Sequence, residues 1–214
     1  MSSISIGAER YRGHGEPLVT EIDDRRGSLG VALLVATEAM LFAILFGVYY
    51  YLGAGNHRWM IEDPPRLHYV IPMLAILWSS SGVFFWGEEK LKRQEYGAAR
   101  LALITTIVLG LGFVAMTYFE YSEELKHLTP RTDAYGSIFF AITSLHLLHL
   151  IIGLAMLTWL LLVAKRWEPA PNIPHQPYHN VGIYWHFVDA MWGFIVAILY
   201  VYPNIVHVYP NLGH

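Results

Sequence analysis

Ionisable side chains stand inside the long apolar runs of this 214-residue sequence, where a charge is most costly. They are Glu38 in the first run, His146 and His149 in the fourth, and His186 and Asp189 in the fifth. A charged group at the centre of a bilayer costs about 2.5–3.5 kcal/mol on insertion scales, so each of these groups needs a partner or a purpose. Their residue types allow hydrogen bonding, proton transfer or metal ligation.

His146 and His149 are three residues apart, which puts them on one side of a helix with Gly153 a further turn along. Two such histidines could ligate a metal or a haem, or they could be buried rings hydrogen-bonded to other helices. A zinc or iron site would also need carboxylates from neighbouring helices at the same level, and Glu38 is a single candidate. Glu38 and the two histidines lie at similar depths in their runs, so we predict a hydrogen bond from Glu38 to one of them.

His186 and Asp189 share one helix face with Gly182 and Gly193, because the four residues are spaced by four, three and four. One interpretation is a proton relay. The other is a hydrogen-bonded polar clasp between closely packed helices, which the flanking glycines favour. Glu120, at the end of the third run, is expected at the membrane interface.

Five apolar runs organise the chain, and each is close to the length of about 20 residues that a helix needs to cross a bilayer. Backbone groups in hydrocarbon must be bonded within their own segment or in a closed barrel, and these runs show no alternation. The sequence therefore predicts an all-α polytopic membrane protein with five transmembrane helices, joined by loops of 14 to 16 residues. The predicted helices are 29–52, 69–86, 101–119, 134–164 and 181–202.

The composition excludes several classes of protein. Only 14 residues are Lys or Arg and 17 are Asp or Glu, whereas 55% are hydrophobic and the mean hydropathy is +0.38. This leaves too little polar surface for a soluble enzyme. The absence of cysteine removes disulfides, iron-sulfur clusters and Cys-ligated zinc. A net charge of −3 with dispersed basic residues offers no footprint for nucleic acid.

Basic residues are distributed unequally between alternate connections. Ten of the 14 Lys and Arg residues fall in the N-terminal stretch and in the second and fourth connections. The positive-inside rule therefore predicts that residues 1–28 form a cytoplasmic tail and that residues 203–214 form an external one. The N-terminal stretch has no apolar run, so it is not expected to be a secretory signal peptide.

Three sequence runs together resemble subunit III of the haem-copper respiratory oxidases, the family of cytochrome c oxidase and quinol oxidase subunit III. The resemblance spans all five helices, and the chain is similar to the short bacterial form that lacks the first two of seven helices. The runs are YWHFVDAMW (Tyr184–Trp192), DAYGSIFFAITSLHLLHLIIG (Asp133–Gly153) and TEAMLFAILFGVYYY (Thr37–Tyr51).

The resemblance implies a bundle with a V-shaped cleft that holds phospholipid. It implies that this chain has no catalytic residue, metal or cofactor of its own, and that haems and copper lie in partner subunits. The implied partners are oxidase subunits I and II and other respiratory subunits in a bacterial inner membrane. The implied role is to support proton uptake and to protect the enzyme during turnover.

The cleft would need cationic or hydrogen-bonding groups at headgroup level, and Lys165, Arg166 and His179 are the candidates. The two basic residues could equally be topology anchors. Other classes stay open on the residues alone. They are an accessory subunit of a related nitric oxide reductase, a small membrane cytochrome with His149 and either His186 or His146 as haem ligands, and a transporter that uses Glu38 as its carrier group.

Overall fold

The computed structural model describes residues 16–54, 67–125, 134–164 and 175–208, and within this part of the chain every regular element is helical. Five helices are long and apolar enough to cross a membrane, which confirms the predicted all-α polytopic fold. They are α1 (Glu16–Ala54), α2 (Leu67–Lys92), α3 (Tyr96–Glu124), α4 (Ala134–Ala164) and α5 (Gln176–Ile195). The last continues as a π-helical segment, Val196–Val201, and then as α6, Tyr202–Val208.

Most helices extend beyond the apolar runs. Helix α1 begins at Glu16, inside the stretch predicted to be a tail, and α6 ends at Val208, inside the predicted C-terminal tail. Helix α4 has the bounds of its apolar run. An apolar run predicts only the part of a helix that lies in hydrocarbon. The helix itself can continue beyond the run, because polar residues are compatible with helical structure in water.

The second connection differs most from expectation. Residues 87–100 were predicted to be a loop, but α2 and α3 are separated by three residues, Arg93–Glu95. Gln94 has a φ of 61°, and the amides of Gln94 and Glu95 donate to the carbonyls of Leu91 and Lys90 at 2.9 and 3.0 Å. This is the Schellman arrangement that ends many helices, with Gln in the place that Gly usually takes. An ion pair between Lys90 and Glu95, 2.8 Å long, spans the same turn.

Helices α4 and α5 form the centre of the bundle. Helix α5 packs against α1, α2 and α4, and α4 packs against α1, α3 and α5. Helix α1 lies at the edge and contributes a narrow inner stripe with alternating spacings of three and four, which is typical of a helix that contacts its neighbours along one seam. The stripe consists of Val35, Glu38, Phe42, Leu45, Tyr49 and Leu52.

Glycine permits the close approach of α5 to its neighbours. A Cβ atom on Gly182 would lie 2.7 Å from a ring carbon of Phe84 on α2. A Cβ atom on Gly153 of α4 would lie 3.0 Å from the ring of Trp185. Such distances leave no room for a larger residue, so these glycines set the spacing of the helices that carry His186 and His149.

Candidate functional site

Glu38 and His149 are in contact, as their shared depth predicts. The Glu38 Oε2 and His149 Nε2 atoms are 2.8 Å apart, and His149 Nδ1 lies 2.7 Å from the carbonyl oxygen of Leu145. Only 7% of the His149 side chain is exposed, against 26% of the Glu38 side chain. The ring of Phe42, one turn from Glu38 on α1, packs against the imidazole at 5.4 Å. The contact therefore joins α1 to α4.

The hydrogen-bond partners of His149 determine how many protons the Glu38–His149 pair holds. A carbonyl oxygen only accepts hydrogen bonds, so His149 Nδ1 must donate to Leu145. The contact between Nε2 and Glu38 then needs one further proton, carried either by the imidazole or by the carboxyl group. In both forms the pair has no net charge, which reduces the cost of placing it in a membrane.

His146 faces another part of the bundle, although it lies only three residues before His149. Its ring stacks on Trp192 of α5, with centroids 5.1 Å apart, and meets the edge of Phe113 of α3 at 6.0 Å. His146 is 1% exposed. The two histidines therefore contact different helices, and of the two it is His149 that binds Glu38.

A second polar contact joins α2 to α5. The Ser81 hydroxyl lies 2.8 Å from His186 Nδ1, and it also donates to Asp189 Oδ2. Asp189 is 3% exposed, whereas His186 is half-buried. The indole of Trp185 donates to the neighbouring Ser80 hydroxyl at 3.1 Å. Sequence reasoning identified His186 and Asp189 but gave Ser81 no role, since a serine in an apolar helix carries little signal of its own.

Of the three candidates for phospholipid contact, the structure describes only His179. Lys165 and Arg166 lie outside the described residues. His179 is exposed and its Nδ1 atom is 3.1 Å from Glu88 Oε1, which also pairs with Lys92 at 3.2 Å. Arg100 donates two hydrogen bonds, of 3.0 and 2.7 Å, to the carbonyl oxygen of Ala164 and so caps the end of α4.

Glu120, expected at the level of the membrane interface, is buried between helices. It is 2% exposed and accepts a hydrogen bond of 2.7 Å from the hydroxyl of Tyr200, which lies in the π-helical segment. The same segment presents the Leu199 carbonyl to the Tyr135 hydroxyl at 3.4 Å. A π-helix shifts the register of its carbonyls and side chains, so it lets Tyr200 reach α3. Sequence reasoning could not find this contact, because a π-helical turn has no clear sequence signal.

Metal ligation has little support in the described ranges. Within them, no three His, Asp or Glu side chains converge in a way that could hold a metal ion. Both ring nitrogens of His149 already bind protein atoms. The fold and these contacts define a polytopic helical membrane protein in which Glu38, His149, His186, Asp189 and Glu120 are hydrogen-bonded to other helices.

Comparison with known proteins assigns the family. The sequence profile of cytochrome c oxidase subunit III matches residues 11–204. The chain is 30% identical to a probable cytochrome c oxidase subunit 3 of Mycobacterium leprae, over 76% of this chain and 81% of that protein. It is 33% identical to cytochrome c oxidase subunit 3 of Corynebacterium diphtheriae over the same shares, and 30% identical to that of Gallus gallus over 84% and 69%.

The chain therefore belongs to the cytochrome c oxidase subunit III family, and it is a subunit of a terminal oxidase complex. This agrees with the family that the three sequence runs resemble.

Proposed function

We propose that this chain is a cofactor-free accessory subunit of a proton-pumping haem-copper oxidase that reduces dioxygen to water. Its partners would be the haem-copper catalytic subunit I and subunit II. It would lie in a bacterial inner membrane, with the start of α1 on the cytoplasmic side and the C-terminus outside. The match of residues 11–204 to cytochrome c oxidase subunit III supports a place in an oxidase complex, and the environment of His149, whose two ring nitrogens bind Leu145 and Glu38, supports the absence of a haem on this chain.

A role as a small membrane cytochrome is disfavoured by the same observation. A haem iron would need a free ring nitrogen on His149, so ligation would have to break one of its two hydrogen bonds. His146 and His186 could not ligate one haem together without His149, since His146 packs against α3 and α5 whereas His186 lies between α5 and α2. His149 and His186 thus join helices through hydrogen bonds, and His146 joins them through ring packing.

The test of the accessory role compares the purified oxidase with and without this chain. We expect the haem and copper content per catalytic subunit to be the same in both preparations. We also expect activity to be lost sooner during turnover when the chain is missing. A Soret band on the isolated chain, or a haem content that falls when the chain is removed, would contradict the proposal.

The Glu38–His149 pair would support proton uptake, because it holds one proton that either group can carry. Glu38→Gln keeps the shape and a hydrogen bond but removes the acidic proton. We expect this variant to assemble normally and to take up protons more slowly during turnover. Thr37→Val is the matched control, because Thr37 lies at the same depth and its hydroxyl bonds only to the Leu34 carbonyl. Unchanged uptake in Glu38→Gln would mean that the pair only holds α1 against α4.

Phospholipid binding is proposed at the end of the bundle where α4 ends and α5 begins. Lys165 and Arg166 directly follow the last residue of α4, and Arg100 and His179 lie at the same end. Basic groups at this level would attract the phosphate of a lipid headgroup. Arg166→Ala should lower the amount of phospholipid that copurifies with the complex. Arg93→Ala removes the same charge at this end, from an exposed pair with Glu89, and should leave the lipid content unchanged.

A further inference from the structure

Four buried polar atoms have no hydrogen-bond partner within the described residues. They are both ring nitrogens of His146, the indole nitrogen of Trp192 and the Oδ1 atom of Asp189. Buried polar groups in proteins are nearly always hydrogen-bonded to protein or to ordered water, and an unpaired one is costly. The cost is greater in a membrane, where no bulk solvent can reach the group.

Three of these atoms belong to His146 and Trp192, whose rings pack against each other, and the fourth belongs to Asp189, one turn earlier on α5. The rings of His146 and Trp192 are nearly parallel, with an angle of 23° and centroids 5.1 Å apart. Asp189 precedes Trp192 by three residues, so it lies one turn earlier on α5 and about 60° around the helix axis, where its Oδ2 atom accepts from Ser81 of α2. The ring of Phe113 closes the site from α3, at 4.9 Å from Trp192 and 6.0 Å from His146. All three polar side chains are at most 3% exposed.

The available donors and acceptors indicate the ligand. Trp192 offers a donor, a neutral imidazole offers one donor and one acceptor, and Asp189 Oδ1 adds a carboxyl oxygen. A buried water molecule needs two to four such partners. A cation would need further carboxylates, an anion would need a basic side chain, and a lipid tail would satisfy none of the four atoms. Water alone matches this mixture of donors and acceptors.

We propose that internal water molecules bind to these atoms, one between His146 and Trp192 at the junction of α3, α4 and α5 and another at Asp189 Oδ1 on α5. His186, Ser81 and Asp189 are joined by hydrogen bonds, and a water molecule at Asp189 Oδ1 would lie at the buried end of this row. This inference does not depend on the proposed function, since it concerns only the pairing of buried atoms.

The test is a cryo-EM map of the intact oxidase complex that resolves ordered water. We expect a non-protein peak at about 2.7–3.2 Å from Trp192 Nε1 and from a ring nitrogen of His146. Trp185 and His149 are internal controls, because their ring nitrogens already bind protein atoms, and no such peak is expected beside them. Water peaks beside the exposed Arg93–Glu89 pair would show that the map resolves water.

Several outcomes would overturn the proposal. The atoms could be paired with a neighbouring subunit or with another part of this chain, they could be covered by lipid, or the map could show no peak there. Trp192→Phe removes one donor and keeps an aromatic ring beside His146, so the peak at Trp192 should disappear. A peak that persists unchanged in this variant would also count against the site. If the variant does not assemble, the wild-type map decides alone.

Discussion

The two polar contacts between membrane helices are built differently. Glu38 and His149 form a direct pair between α1 and α4, in which every ring nitrogen is bonded and the carboxylate is partly exposed. The contact between α2 and α5 uses a neutral hydroxyl, Ser81, to reach both a histidine and a buried carboxyl group. One shared proton is enough to give the Glu38–His149 pair no net charge. In the contact between α2 and α5, both hydrogen bonds depend on the Ser81 hydroxyl. The second contact should therefore be the more easily broken.

The largest effect is expected from Ser81→Ala. This change leaves His186 Nδ1 and Asp189 Oδ2 without their shared partner, and each unsatisfied group costs about 1–3 kcal/mol. The free energy of unfolding should fall by about 2–6 kcal/mol, measured by titrating the purified complex with SDS. Ser79→Ala is the control, because the exposed Ser79 hydroxyl bonds only to the Ala75 carbonyl of its own helix. Equal effects of the two changes would contradict the bridging role of Ser81.

Glu38→Leu should have a smaller effect, since it leaves one buried atom, His149 Nε2, without a partner. We expect a loss of about 1–3 kcal/mol. Replacing both partners by leucine should recover part of this loss, because no polar atom is then left unpaired. Thermal release of the subunit from the complex would compare the single and double variants. A double variant less stable than either single one would argue against the pair.

The α2–α5 contact and helix α1 should also differ in how a glycine-to-alanine substitution changes stability. Gly182→Ala places a Cβ atom against Phe84, and the overpacking cost, reduced by the better helix propensity of alanine, should give a net loss of about 1 kcal/mol. Gly47→Ala on α1 meets no atom within 4 Å and should be neutral or slightly stabilising. The melting temperature of the complex is the measurement. A stabilising Gly182→Ala would show that α2 and α5 are less closely packed than described.

The smallest effect is expected outside the apolar interior. Arg93→Ala removes an exposed pair with Glu89, 3.1 Å long and four residues apart on α2. Such pairs contribute at most about 0.5 kcal/mol. Retention of the subunit in increasing detergent should match that of the wild type. A loss as large as that of Glu38→Leu would mean that the α2–α3 turn stabilises the bundle as much as the buried contacts do.

Sequence reasoning reached particular residues and missed others for physical reasons. Glu38, His149, His186 and Asp189 were found because an ionisable group in an apolar run is conspicuous. Ser81 was given no role because a hydroxyl in a membrane helix can always bond to its own backbone, as Ser79 does. The prediction of a loop over residues 87–100 was wrong, because a helix continues into polar residues until a turn such as the one at Gln94 ends it.

The sequence alone determined that five apolar helices cross the membrane, because helix length and backbone hydrogen bonding in hydrocarbon follow from local composition. It also predicted that Glu38 lies at the depth of His146 and His149, and the contact between Glu38 and His149 agrees with that prediction. Only the tertiary structure decided that His149 pairs with Glu38, while His146 stacks on Trp192. The reason is that two residues three apart differ by about 60° around a helix axis, which is enough to face different neighbours. Which neighbour each one meets depends on packing between segments far apart in the chain, and Glu38 and His149 are separated by 111 residues.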